Sequence, residues 1–228
     1  MFSLVIPIYN AQEIIPGSYE KVSRYLETAG YDYEIIFEDD ASQDASKTVL
    51  EAISRDNPRV RVFSHYPNQG LGYTLRQLFR SASGDIIIYL DIDLPFGITC
   101  LKSLLKEAED ADVVLASRYL SAENKIPFLR KISSKLYYFF CNALFNVTVR
   151  DIGSGLVIFK RRTLESLRLN ARGFDIHIEL FVQLENKGFL VKEITLPYKY
   201  NDYSTFSILR HGPAIVVNTL KLWLRQLR

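Results

Sequence analysis

Short apolar runs alternate with amphipathic segments of helical spacing throughout the first 120 residues. The apolar runs are continuous and rich in β-branched residues, as in strands that are buried on both faces. Strands of this kind that are separated by helices form mostly parallel sheets. We therefore predict an α/β fold in which helices flank a mostly parallel central sheet. The predicted strands are FSLVIPIYN, YEIIFEDDAS, VRVFSHY, DIIIYLDID and DVVLASRY, and the predicted helices lie in PGSYEKVSRYLETAG, DASKTVLEAISRDNP, NQGLGYTLRQLFRSAS and TCLKSLLKEAEDA.

The composition excludes several classes of protein. A net charge of +2 gives no basic field for nucleic acid, so no nucleic-acid partner is expected. The two cysteines, Cys100 and Cys141, lack metal-ligand spacing and are predicted to be free thiols in a reducing compartment. No apolar run approaches the ~18–20 residues that span a bilayer, and no basic region precedes the first apolar run. We therefore expect a cytoplasmic protein that is still able to lie on a membrane surface.

Polar side chains stand at the ends of four of the predicted strands. Ligands of open α/β sheets bind beyond the carboxyl ends of the strands, where the loops gather. We therefore expect these side chains to line a cleft rather than to lie buried. They are Tyr9 and Asn10, Asp39 and Asp40, Asp91 and Asp93, and Arg118.

The pair Asp91 and Asp93 carries the clearest chemistry of the four. Side chains at positions i and i+2 of an extended segment point to the same side, so the two carboxylates repel each other. A hard divalent cation prefers oxygen ligands and often takes one or two carboxylates together with phosphate oxygens. We therefore predict a divalent metal site at this strand end, with a capping or solvated turn as the alternative.

Several motifs occur together in one order: VIPIYN, EDDASQDAS, NQGLGYTLRQLFRSASGDIIIYLDIDL, ASRY, RDIGSGLVIFKR and FDIHIELFVQLENKGFLVKEITLPY. With these motifs the chain resembles family 2 glycosyltransferases, and more narrowly the dolichyl- or polyprenyl-phosphate sugar synthases. The resemblance implies a GT-A fold, a GDP- or UDP-linked sugar donor, Mg²⁺ or Mn²⁺, and inversion at the anomeric carbon. It divides the single domain into a nucleotide-sugar-binding half (1–120), an acceptor-binding half (121–210) and a C-terminal amphipathic helix (211–228).

The resemblance also assigns roles to individual residues. It implies metal binding by Asp91 and Asp93, with Asp93 the first candidate for direct contact with the ion, and a catalytic role for Asp93 and Arg118. Because a phosphate monoester acceptor is already anionic, the reaction needs positive charge rather than a general base, and Arg118 is the first candidate. The nucleotide-sugar-binding residues are Pro7, Tyr9, Asn10, Asp39, Asp40, Gly70 and Asp91, and the acceptor-binding residues are Arg118, Arg130, Ser134, Asp151 and Ser154.

The chain departs from the family pattern at three places, where Ala11, Pro95 and Thr205 replace a glutamate, a glutamine and a lysine. These departures motivate a non-catalytic nucleotide-sugar-binding subunit as one alternative. A second alternative is transfer to a glycan or glycolipid hydroxyl, which would need a general base such as Asp151 or Asp175. Structural roles also stay open for single motifs: a capping turn for Asp39 and Asp40, and a solvated helix face for Arg130 and Ser134.

Two segments combine aromatic or aliphatic residues with basic ones, namely 128–147 and the C-terminal helix with Trp223. Such helices can lie in a membrane interface, although packing into the core or a dimer is the alternative. The sequence therefore predicts transfer of a hexose to a polyprenyl phosphate by a protein that is peripheral on the cytoplasmic face of a membrane. A homodimer or a membrane partner subunit is possible, and no residue identifies the sugar or the base.

Overall fold

The computed structural model describes residues 1–119, 124, 126–199 and 208–226. The strands are β1 (Phe2–Ile8), β2 (Tyr33–Asp39), β3 (Val60–Ser64), β4 (Ile86–Leu90), β5 (Val113–Ser117), β6 (Leu156–Lys160) and β7 (Val191–Thr195). The helices are α1 (Ile15–Thr28), α2 (Ser46–Asp56), α3 (Leu71–Ser81), α4 (Leu101–Glu107), α5 (Phe128–Phe145), α6 (Arg161–Glu165), α7 (Ile176–Asn186) and α8 (Ile208–Gln226). All nine elements predicted before residue 120 are present, which confirms the alternating pattern.

The strands form one seven-stranded sheet in the order β3-β2-β1-β4-β6-β5-β7. Every pairing is parallel except those of β6, which runs antiparallel to both β4 and β5. The predicted mostly parallel sheet is therefore confirmed. Because β6 alone is reversed, its amino end lies at the edge where the other strands have their carboxyl ends. Residues 151–155, which lead into β6, thus reach the edge that bears the predicted site.

The sheet is covered on both faces, as continuous apolar strands require. Neighbouring residues of one strand alternate between two clusters of buried side chains. In β1, Leu4 and Ile6 belong to the first cluster and Val5 to the second; in β2, Ile35 and Ile36 divide in the same way. Helices α1, α2 and α4 cover the first face, and α3 and α7 cover the second.

The C-terminal helix begins at Ile208 and packs against α5, where the Tyr137 hydroxyl lies 3.0 Å from Thr219 Oγ1. Both cysteines are free thiols, as predicted, and both are buried. Among the described helices there is none that combines the length and the apolar character needed to cross a bilayer.

The first turn of α3 packs closely on the loop that precedes α7. A Cβ on Gly72 would lie 2.5 Å from the Ala171 backbone oxygen, and the Gly72 amide donates to the Arg172 carbonyl at 2.8 Å. We expect Gly72→Ala to lower the free energy of unfolding by about 1–3 kcal/mol, because the backbone of α3 and the backbone at Ala171 and Arg172 must move apart. Urea denaturation followed by circular dichroism measures this change.

Gly17 in α1 supplies a matched control. A Cβ at Gly17 would meet no described atom within 4 Å. Gly17→Ala should therefore leave stability unchanged or raise it by up to about 1 kcal/mol. Equal effects of the two substitutions would contradict the steric explanation for Gly72.

Candidate active site

The ends of β4 and β5 and the first turn of α5 enclose a small polar cavity. It contains two carboxylates and two guanidinium groups, which come from three separate places in the sequence. The lining residues are Asp91, Asp93, Pro95, Phe96, Arg118, Arg130, Gly155 and Tyr198. The structure therefore brings the predicted metal ligands together with two of the predicted acceptor ligands.

Asp91 is held by contacts on two sides. The Tyr89 hydroxyl donates to Asp91 Oδ1 at 2.6 Å. The Asp91 amide donates to the Gly155 carbonyl at 2.9 Å, which continues the antiparallel pairing of β4 with β6 beyond the end of the strand. The first bond orients the Asp91 side chain, and the second fixes the backbone that bears it.

Asp93 is partly buried beside Asp91. Burial, and then the negative charge of Asp91, raise the pKa of Asp93 to about 7. A divalent cation between the two carboxylates would remove this repulsion, so the pair fits the predicted metal. Among the described residues, no group of three or more His, Cys, Asp or Glu side chains is placed to hold a metal ion, so water and substrate oxygens would complete the shell. Pro95 lines the cavity without a ligand atom.

Arg118 is buried and bound to Asp151, 33 positions further along the chain. Its backbone amide and Nε donate to Asp151 Oδ2 at 2.8 and 2.9 Å, and its Nη2 donates to Asp151 Oδ1 and to the Gly153 carbonyl. Burial alone would lower the pKa of Arg118, but the charge and hydrogen bonds of Asp151 outweigh it and raise that pKa. Arg118 thus stays charged while Asp151 fixes its direction.

The other predicted acceptor ligands have different surroundings. Arg130 is half-buried at the cavity, whereas the Ser134 hydroxyl accepts a hydrogen bond from the Tyr119 hydroxyl at 2.6 Å. Ser154 is buried, and its hydroxyl donates to the Ala116 carbonyl at 2.6 Å. The contacts of Ser154 are therefore those of a structural residue beneath the cavity.

The predicted nucleotide-binding residues lie at the ends of β1 and β2. The exposed Asn10, with φ of 50°, accepts from the Gln43 amide at 2.8 Å, while Pro7 and Tyr9 are half-buried beside it. Asp39 Oδ2 accepts from the Ser42 amide at 3.2 Å, and its Oδ1 is buried without a hydrogen-bond partner among the described residues. Since an unpaired buried carboxylate oxygen is costly, Asp39 Oδ1 is suited to a ligand donor.

The expectation that the strand-end polar side chains are not buried is wrong for Asp39, Asp40 and Arg118. Asp40 is buried because protein donors surround it: the Gln69 and Gly70 amides donate to Oδ1 and Oδ2 at 2.7 and 2.9 Å. His65 Nε2 lies 2.8 Å from Asp40 Oδ1. Asp40 therefore shapes the turn that contains Gly70, whose φ of 88° requires the freedom of glycine.

Sequence reasoning missed several residues around this site. Glu38 is buried with one oxygen 3.0 Å from His65 Nδ1, and burial raises its pKa to about 7. Tyr198, which follows β7, lines the cavity, and Tyr89 in β4 donates to the Asp91 carboxylate from behind it. The signal available for Tyr89 was its i, i+2 relation to Asp91, which places both side chains on one face. Ser204 and Thr205 lie outside the described residues.

Solved structures with a similar fold cover nearly the whole chain. A crystal structure of mannosyl-3-phosphoglycerate synthase from Rubrobacter xylanophilus gives a TM-score of 0.78 at 19% identity, covering 99% of this chain and 74% of that chain. Glucosyl-3-phosphoglycerate synthase from Mycobacterium tuberculosis, in complex with Mn²⁺, UDP and glucosyl-3-phosphoglycerate, gives 0.74 at 19% identity, covering 98% and 79%. At this identity the likeness shows the fold alone, and it confirms the expected GT-A architecture.

Curated proteins give a second comparison. A prophage bactoprenol glucosyl transferase homolog of Escherichia coli is 30% identical over 168 residues, which are 73% of this chain and 54% of that protein. A dolichol-phosphate mannosyltransferase of Pyrococcus furiosus is 28% identical over 205 residues, which are 87% of this chain and 56% of that protein. The chain thus spans about half the length of these curated relatives. The family model for glycosyl transferase family 2 matches residues 3–168, and the chain belongs to that family, as its motifs indicated.

Proposed function

We propose that the protein transfers a hexose from a nucleotide-diphosphate sugar, of the GDP-mannose or UDP-glucose type, to a polyprenyl or dolichyl phosphate with inversion. The observation that carries this proposal is the meeting of Asp91 and Asp93 with Arg118 and Arg130 around one cavity. The names of the bactoprenol and dolichol-phosphate relatives support the same acceptor class.

The chemistry requires two anions to approach each other. A phosphate oxygen of the lipid forms the new bond to the anomeric carbon, and the bond from that carbon to the nucleotide diphosphate breaks. The attacking phosphate needs no proton removed, so this chain's contribution is positioning and charge. Arg118 and Arg130 would bind the lipid phosphate against the repulsion of the diphosphate.

Asp91 and Asp93 would hold the divalent ion, Mg²⁺ or Mn²⁺. When bound, the ion neutralises charge that develops on the diphosphate leaving group. The solved Mycobacterium tuberculosis structure that contains Mn²⁺ and UDP supports this assignment by fold. On the donor side, Asp39 Oδ1 would accept from the base or ribose, beside Pro7, Tyr9, Asn10 and the Gly70 turn.

The proposal keeps the division into a donor half (1–120), an acceptor half (121–210) and a C-terminal helix (211–228). The donor half would supply the metal and nucleotide ligands together with Arg118. The acceptor half would supply Arg130 and the Asp151 that holds Arg118. A hydroxyl acceptor is less favoured, because Asp151 is engaged by Arg118, and Asp175 by the Asn218 amide group at 3.2 Å.

A lipid acceptor also fits the surface of α5. The first turn of this helix brings Arg130 to the cavity, and the same helix exposes a row of large apolar side chains with Lys131 and Lys135 between them. The row consists of Phe128, Leu129, Ile132, Leu136 and Phe139. Helix α8, packed on α5, exposes Val216, Val217, Leu220 and Leu224. We propose that this face lies on the cytoplasmic side of a membrane, where aromatic and basic residues bind.

Leu129 and Leu136 allow a direct test of this face, since they are 75% and 64% exposed. We expect the double variant Leu129→Ser, Leu136→Ser to bind vesicles of phosphatidylglycerol and phosphatidylcholine at least about a hundredfold more weakly, because each buried leucine contributes roughly 1.5–3 kcal/mol and each ~1.4 kcal/mol is a factor of ten in affinity. Flotation measures the bound fraction.

Leu190, 52% exposed before β7, is the control site. Leu190→Ser should bind vesicles like the wild type. If the double variant also binds normally, the face is not a lipid surface. Light scattering then decides whether a second copy of the chain covers it.

A transfer assay tests the reaction itself. Purified protein, Mn²⁺, detergent-solubilised polyprenyl phosphate and labelled UDP-glucose or GDP-mannose are mixed, and label in the organic extract is counted. The proposal expects lipid labelling from one donor that EDTA abolishes. Nucleotide binding without labelling from any donor would favour a non-catalytic subunit or a requirement for a membrane partner.

A further inference from the structure

Tyr89 is a buried tyrosine in the middle of the sheet whose polar atom serves one contact. It is 3% exposed, and its hydroxyl donates to Asp91 Oδ1 at 2.6 Å. The aromatic ring lies among apolar side chains of the second cluster, including Ile87 and Val157. A phenylalanine would pack equally well there, so packing alone does not explain the hydroxyl.

Gly155 leaves room for the same carboxylate on its other side. A Cβ added at this position would lie 2.1 Å from Asp91 Oδ2 and 2.7 Å from Asp91 Cγ. The carboxylate therefore occupies the space that any other residue would fill at position 155. The Asp91 amide also donates to the Gly155 carbonyl, which fixes the backbone from which this carboxylate projects.

Carboxylates that bind metals are usually fixed by hydrogen bonds from residues behind them, and loss of such a bond typically weakens metal binding by about 10–100-fold. A ligand that is already oriented loses less conformational entropy when the ion binds. Both principles apply to Asp91, because its carboxylate already accepts a hydrogen bond from the buried Tyr89 hydroxyl.

We propose that Tyr89 and Gly155 are positioning residues that orient Asp91 for a divalent cation before the cation arrives. The inference rests on the proposed function, in which Asp91 and Asp93 hold that ion. Asp91 is then the oriented ligand of the pair. Tyr89 raises the affinity of the site for the cation without contacting the cation or the substrate.

The test compares Tyr89→Phe with Tyr33→Phe. Tyr33 is also 3% exposed in a strand, and its hydroxyl donates to Glu27 at 3.3 Å, remote from the cavity. Free Mn²⁺ is measured by electron paramagnetic resonance during titration, with UDP or GDP present, and thermal unfolding is recorded for every variant. We expect Tyr89→Phe to weaken Mn²⁺ binding about tenfold. Tyr33→Phe should leave Mn²⁺ binding within about twofold of wild type, as for a site with no contact to the ligands.

Gly155→Ala provides a second variant, because its methyl group would displace the Asp91 carboxylate, and it too should weaken Mn²⁺ binding. Unchanged Mn²⁺ affinity in Tyr89→Phe, or equal losses in Tyr89→Phe and Tyr33→Phe, would overturn the inference. Failure of the proposed function has a different signature, since Mn²⁺ would bind the wild type and depend on Tyr89 while no label reached the lipid.

Discussion

Replacement of Asp93 by asparagine is expected to lower the rate of hexose transfer by about a thousandfold, or ~4 kcal/mol of transition-state stabilisation. The substitution keeps the shape of the side chain and removes the negative charge. Asp93 lines the same cavity as Asp91. Burial, and then the charge of the neighbouring carboxylate, raise the pKa of Asp93 to about 7, and a cation between the two carboxylates would remove their repulsion. Initial rates in the lipid-extraction assay measure the effect.

The control for this variant is Asp110→Asn, which makes the same chemical change at an exposed position after α4. Its rate should equal that of the wild type. If Asp93 is a metal ligand, the asparagine variant should also need a higher Mn²⁺ concentration for half-maximal rate. A transfer rate within tenfold of the wild type at low Mn²⁺ would remove Asp93 from the site.

The fold was largely predictable because its signal is local. Continuous apolar runs such as those of β1 and β2 are stable only when helices cover both faces of the sheet, so sequence alone determines the class. The strand order was not predictable, because a short apolar run carries no information about its direction. The reversed β6 depends on long-range pairing with β4 and β5.

The parts of the candidate site that depend on residues close together in the sequence were predictable. The parts that depend on contacts between residues far apart in the sequence were not. Asp91 and Asp93 are two residues apart, and their side chains line the same cavity. Asp39 and Asp40 are adjacent, yet Asp39 has a buried oxygen without a hydrogen-bond partner among the described residues, while protein amides satisfy Asp40. Only the folded chain distinguishes these two roles. The contact of Arg118 with Asp151 likewise depends on the reversal of β6, which brings Asp151 to the end of β5.

That contact has the largest expected effect on stability. Asp151→Ala should lower the free energy of unfolding by about 3–5 kcal/mol, because it leaves the buried Arg118 guanidinium without its counter-charge. The substitution removes the Asp151 carboxylate, which accepts hydrogen bonds from three donors of Arg118: the backbone amide, Nε and Nη2. Urea denaturation gives the change in stability.

The exposed pair Arg24–Glu20 separates charge loss from burial, since its side chains are 75% and 65% exposed. Glu20→Gln should cost no more than about 0.5 kcal/mol, because water screens an ion pair on a helix surface. The double variant Arg118→Met, Asp151→Ala should be more stable than Asp151→Ala alone, since it no longer buries an unpaired charge. If Asp151→Ala costs as little as Glu20→Gln, Arg118 turns to solvent or to another partner. Asp151 would then not be the residue that orients Arg118 toward the cavity.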